Sequence, residues 1–241
     1  NFPFHMSSLI DSDQKLEDIL LDRDGDQHLF DAQRGCVFRC RIARRAHSLD
    51  SDELCAADII VFHFHHIAFD GASLDIFLRD LRRAFAGELT RSVPLNYIDY
   101  AVHERLLDMH DSTQFWRDQL YGYAFTPLAL PYDRTPDNVQ SRSGRGYEVT
   151  FTVNDGVLAH DVTLFQFGLA VLYAFLFKLT AECDLCVATV FENRSRAELA
   201  DMIGFFVNTV PYRLIVDPHE SFAELLQRVR SLSLASLPHS H

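Results

Sequence analysis

Three histidines fall within four positions, at His63, His65 and His66, and Asp70-Gly71 follows at once. Near neutral pH an imidazole exchanges protons, accepts hydrogen bonds or ligates metal, so the cluster is a candidate for chemistry. The histidines end an apolar run, IIVFHFHHIAFDG, whose β-branched and aromatic content reads as a strand over 58–66. Strand side chains alternate between faces, which puts His63 and His65 with Ile59 and Val61, and His66 with Ile60, Phe62 and Phe64. A histidine continuing a phenylalanine face is desolvated, which favours the neutral, proton-accepting ring. Two readings of His66 stand on this pattern: a reactive base, or a core histidine satisfied by its neighbours. His63 and His65 fit hydrogen bonding to adjacent strands. They also form an i, i+2 pair of potential metal ligands, for which the nearby sequence supplies no third. Asp70 stands where the strand ends, placed to fix the backbone or to pair with a cation. Gly71 is expected to give the positive φ of a tight turn.

The elements that must hold these residues follow from periodicity. Residues 13–22 are predicted as an amphipathic helix with Leu16, Ile19 and Leu20 on one face, and 36–43 as a half-buried strand. Ser73 is expected to cap a helix that begins with LDIFLRDL. Residues 97–121 read as helix broken near Asp111-Ser112. Residues 127–146, rich in proline, glycine and polar side chains, read as a crossing between lobes. A strand at 147–153, a buried helix at 163–179, a strand at 185–191, a helix running into a turn at 196–206, a strand at 207–216 and a helix at 221–236 complete an α/β pattern.

Composition narrows the function classes. The 241 residues are 48% hydrophobic, enough for a substantial core, and the net charge is -12. A chain so acidic, whose arginine groups (41–45, and Arg79, Arg82, Arg83) are short and flanked by acids, does not suit nucleic acid or an anionic membrane. The longest apolar stretch, 164–179, is interrupted by Gln166 and Lys178 and falls short of a membrane span. No secretory signal is visible, and the five cysteines are an odd number, so a reducing, cytoplasmic setting is expected. Cys183 and Cys186 have CxxC spacing but no second pair to complete a zinc site. Packing as buried thiols is expected for them and for Cys36 and Cys40.

The motifs resemble one family. HHIAFDG (65–71) resembles the HHxxxDG motif of the condensation domains of nonribosomal peptide synthetases. YIDYAVHE (97–104) is similar to that family's YxDYAxW segment, with His103 where tryptophan is usual. FWRDQL (115–120), LPYDRTPDNVQSRSG (130–144) and ENRSRAELADMIGFFVNTVPYR (192–213) resemble three further blocks in the family's order. The family's opening SxAQ and RHExLRTxF motifs and its closing HQxxPFE-type motif are absent, which leads us to expect a fragment incomplete at both ends. Asn193 stands where the family commonly has glycine.

This resemblance implies two chloramphenicol-acetyltransferase-like lobes, 1–128 and 129–241, forming a V with an active-site tunnel between them. It implies amide formation between a donor thioester and an acceptor amine, each carried on phosphopantetheine by a peptidyl carrier protein. An adenylation domain of the same synthetase is the expected neighbour; no cofactor is expected to bind directly, and no nucleic acid or membrane is expected as partner. His66 is implied as the residue that meets the amine, Asp70 as the holder of the motif through a salt bridge, and Gly71 as a backbone approach and oxyanion donor. His65 is implied as structural support. Arg194 and Arg134 are the candidate partners of Asp70, and Asn208 is placed in a segment bridging the lobes. Epimerization domains share the histidines but usually carry tryptophan where this chain has Ser73-Leu74. Heterocyclization domains replace the histidines with aspartates. Domains that only dock carriers or tailoring enzymes often lose the second histidine, which is present here.

Overall fold

A computed structural model of the protein describes residues 30–45, 54–88, 95–131, 148–150, 152 and 162–241, together with the backbone of 4–10. The predicted helix at 13–22 and most of the crossing at 127–146 lie outside these residues. The chain divides into two compact units, Asn1–Leu106 with Arg194–Phe206, and Leu107–Asn193 with Val207–His241.

In the first unit, β1 (Phe4–Ile10), β2 (Phe38–Arg45) and β3 (Ile59–Phe64) form a sheet in that order. β1 runs parallel to β2, and β2 antiparallel to β3, with Phe38 opposite Phe64 and Ala43 opposite Ile59. The expected alternation holds within β3. Ile59 and Val61 pack with Ala43 on one face. On the other face, Phe62 and Phe64 each meet Phe77 edge-on at 5.0 Å. Phe77 belongs to α1 (Gly71–Phe85), so this aromatic face seats the helix on the sheet. The helix α2 (Tyr97–Glu104) adds Tyr97 and Tyr100, which pack on a small core of Leu199, Met202 and Phe206.

The second unit holds α3 (His110–Leu120), α4 (Leu164–Thr180), the antiparallel pair β4 (Asp184–Phe191) and β5 (Asn208–Ile215), and α5 (Phe222–Ser236). Its core gathers Leu169, Ala170 and Tyr173 of α4, Leu185, Val210 and Tyr212 of the strands, and Leu225, Leu226 and Val229 of α5. Thr163 and Gln166 cap α4 reciprocally, and Ser221 and Glu224 do the same for α5. The indole of Trp116 donates to the carbonyl of His239, whose ring stacks on Phe115, and this fastens α3 to the end of α5.

Several expectations are corrected. The break in 97–121 falls at 105–109, and Ser112 lies buried inside α3. The helix predicted as buried has one buried face only; Phe165, Leu172, Phe175 and Leu179 are exposed on α4. Among the described residues no helix is long and apolar enough to cross a membrane. Residues 148–150, part of the strand predicted at 147–153, join no sheet among the described residues, and the helix predicted near 196 is a single turn, Ala197–Leu199. Of the thiols expected to be buried, Cys40 is, Cys36 is exposed, and Cys183 and Cys186 are intermediate. Asn193 takes φ 53°, a left-handed conformation that asparagine adopts more readily than most residues other than glycine.

Tyr173 is fully buried and donates its hydroxyl to the Tyr212 carbonyl of β5, tying α4 to the strand pair. Tyr173→Phe is expected to cost about 1–3 kcal/mol in equilibrium urea unfolding, because it leaves a buried carbonyl short of a donor.

Candidate active site

The strand that carries the histidines stops at Phe64, and this decides where each histidine goes. His65 is extended and caps a single helical turn, His66–Ala68, by accepting from the Ile67 amide at 3.0 Å through Nδ1. Its ring meets Phe30 edge-on at 5.3 Å. His63 stays on β3 opposite Arg39. His66 corrects the sequence reading: it lies beyond the strand, does not continue the phenylalanine face, and its side chain is exposed. One side of its ring rests on Phe205, with centroids 5.5 Å apart and planes at 84°.

Asp70 and Gly71 also differ from expectation. Asp70, not Ser73, is the N-cap of α1, accepting from the Ser73 amide at 2.9 Å. Gly71 is the first residue of the helix, and its φ is not positive. A Cβ added at Gly71 would meet nothing within 4 Å. Neither backbone conformation nor packing therefore demands glycine there. Its N–H is among the helix-start donors that have no partner inside the helix.

The carboxylate of Asp70 is fully buried and ion-paired with Arg194, 124 positions along the chain. One guanidinium nitrogen, Nη2, lies 2.8 and 3.0 Å from the two carboxylate oxygens. Asp70 accepts further from the Ser73 hydroxyl at 2.7 Å and the Phe206 amide at 3.1 Å. Arg194 spends Nη1 on the carbonyls of Leu199 and Met202, both at 2.7 Å, and stacks its guanidinium 4.2 Å from the Phe206 ring centre. Ser73 is fully buried between the two segments, its oxygen accepting from the Gly204 amide at 3.0 Å. With Asp70 donating its own amide to the Gly204 carbonyl at 3.1 Å, residues 204–206 are clamped along 70–73. Gly204 itself has no room for a side chain, because an added Cβ would run into the Tyr97 ring and sit 2.9 Å from Phe206.

The remaining sequence candidates divide. Arg134 lies outside the described residues. Asn208 opens β5 in the second unit and donates its amide to the Ser240 carbonyl at 3.1 Å, a backbone tie. Burial pushes the Cys186 thiol pKa above its ordinary value, against the pull of Arg213, and among the described residues no group of three histidine, cysteine or acidic side chains could hold a metal ion. Two residues of this arrangement escape the sequence analysis. Ser73, expected as a cap, is the hub of the clamp. Phe205 carries no polar group, and only the fold brings it to His66.

This arrangement of an exposed imidazole beside a buried, ion-paired Asp70 coincides with a family match. Residues 4–241 match the model of the condensation domain. The chain belongs to the condensation domain family. It is 30% identical over 248 residues to phosphinothricin tripeptide synthetase PhsC of Streptomyces viridochromogenes, covering 96% of this chain and 22% of that protein. It is 31% identical over 192 residues to fusarin C synthetase of Gibberella fujikuroi, covering 75% of this chain and 5% of that one. Among solved structures, the complex of the X-domain and OxyB from teicoplanin biosynthesis matches with a TM-score of 0.78 and 25% identity, over 98% of this chain and 54% of that one. The α/β class read from the sequence is the fold of this condensation domain family. The chain thus spans a minor part of the synthetases it matches and about half of the X-domain chain.

Asp70 also sets a pH dependence. Burial alone would raise its carboxyl pKa, but the hydrogen bonds from Ser73, Phe206 and Arg194 outweigh that and hold it below the usual carboxylate value. A group whose pKa is depressed on folding stabilises the protein fully above its unfolded value, about 3.9, and loses that contribution as pH falls through the folded value. Asp70→Asn, which leaves Arg194 unpaired in a buried site, is expected to cost about 3–5 kcal/mol at pH 7. The gap to wild type should stay flat above about pH 5 and narrow below pH 4, read by urea unfolding across that range.

Proposed function

We propose that this condensation domain joins a donor acyl or peptidyl thioester to the amine of an acceptor aminoacyl group, both delivered on phosphopantetheine arms by carrier proteins. The observation that supports this most strongly is the placement of His66. The motif's second histidine is exposed to solvent on a turn, while Asp70 four residues on is buried and ion-paired with Arg194. A ring exposed on a rigid base is available to a substrate, whereas a core histidine is not.

In the proposed reaction the acceptor nitrogen attacks the thioester carbonyl carbon, the C–S bond breaks, and the donor's pantetheine leaves as a thiol. His66 accepts a hydrogen bond from the attacking amine, takes its proton as the C–N bond forms and gives it to the departing sulfur as the C–S bond breaks. The Gly71 amide donates to the developing oxyanion. Gly71 needs no glycine for its own fold, which fits a position left bare so that a substrate can approach. Carrying both substrates to one site supplies the larger part of the rate, as positioning does in such transfers. The adenylation domain that would load the acceptor belongs to the same proposal. No cofactor binds the domain itself in this reading.

A second reading has one specific support, the likeness to the X-domain solved in complex with OxyB. By that likeness the chain would dock a tailoring enzyme without chemistry of its own.

Single-turnover amide formation with carrier-loaded donor and acceptor, followed by mass spectrometry, separates the two. His66→Ala is expected to lower the rate by about 100-fold or more. As an exposed substitution it should move stability by no more than about 0.5 kcal/mol. A wild-type protein that transfers no acyl group across varied donors and acceptors would favour docking.

A further inference from the structure

The role given to His66 needs its ring held at one angle, yet the imidazole is exposed, and its own turn fixes only backbone. The side chain against the ring is Phe205, edge-to-face at 5.5 Å and 84°. We propose that Phe205 is the positioning residue for His66, holding the imidazole in the orientation that meets the attacking amine. This rests on the reading of His66 given above.

Phe205 suits the part because its backbone is immobilised on both sides. Gly204 before it is bonded through both N–H and C=O to the 70–73 segment. Phe206 after it donates its amide to Asp70 and lies beneath the Arg194 guanidinium. The carbonyl of Phe205 itself accepts from the Tyr97 hydroxyl at 2.8 Å. His66 stands four residues before the same Asp70, so both rings are referred to one buried carboxylate. Edge-to-face contact between aromatic rings has a preferred geometry, so the phenyl group restricts the imidazole's rotation where a flexible aliphatic side chain would not. A base displaced by an ångström loses up to about 100-fold in rate.

The test pairs a spectroscopic readout with turnover in the full chain. Histidine ring resonances are recorded by NMR on ¹³C-histidine-labelled protein, with His66→Gln identifying the His66 signal. In Phe205→Leu the His66 ring protons should lose their ring-current shift and move toward the free-histidine position. The single-turnover rate at saturating acceptor should fall about tenfold or more, with the half-saturating acceptor concentration unchanged. Phe205→Tyr should restore both. An unmoved His66 resonance and an unchanged rate in folded Phe205→Leu would overturn the proposal. The two readouts separate its failure from that of the reading beneath it. If His66→Ala abolishes turnover while the resonance in Phe205→Leu stays put, the positioning role alone is wrong. If the resonance moves but His66→Ala still turns over, the catalytic reading is what fails.

Discussion

A carboxylate with no solvent exposure is tolerated only where its charge is matched, and Arg194 provides the match for Asp70. The pair joins residues 124 positions apart, so one ionic contact ties together segments far separated along the chain. Ser73, Gly204 and Phe206 add hydrogen bonds around Asp70. Removing either partner would leave the other buried without compensation, so the segment 204–206 and the start of α1 stand or fall together. Such a network does more to specify one arrangement than to add net stability.

The same network separates buried from exposed residues within one short motif. Asp70 and Ser73 turn inward and are consumed by the clamp. His65 is consumed by its own turn. His66 alone of these is exposed, with Phe205 at its side. Rigidity and availability are thus separated by four residues of chain. The short helical turn between them lets the strand end and the ring emerge.

Much of this is legible from residue types. The period-two pattern of β3, the helix after the motif, and the helices and strands expected at 163–179, 185–191, 207–216 and 221–236 follow from side-chain chemistry and appear as expected. Arg194 is named as a partner for Asp70, beside Arg134, through the resemblance of the ENRSR block to the family rather than from residue types alone. The exposure of His66 is not legible, since alternation says which face a residue takes but not where the strand stops. Competition between extended backbone and the His65-capped turn settles that, and it is a matter of tertiary context. The expectations for Gly71 and Ser73 fail for a related reason. Asp70 is the cap while the Ser73 hydroxyl is taken up by Asp70 and Gly204, and Gly71 then falls inside the helix. Phe205 is invisible because a phenylalanine in an apolar block gives no sign of its neighbour.

The central claim, that the buried charge pair organises the site, is tested most directly by a double-mutant cycle. Asp70→Asn, Arg194→Met and the double variant are compared with wild type by equilibrium urea unfolding at pH 7. The account predicts a coupling of about 1–3 kcal/mol, the double variant being more stable than the sum of the single losses implies. Losses that add to within about 0.5 kcal/mol would contradict it, showing two independent side chains where one joint constraint is claimed.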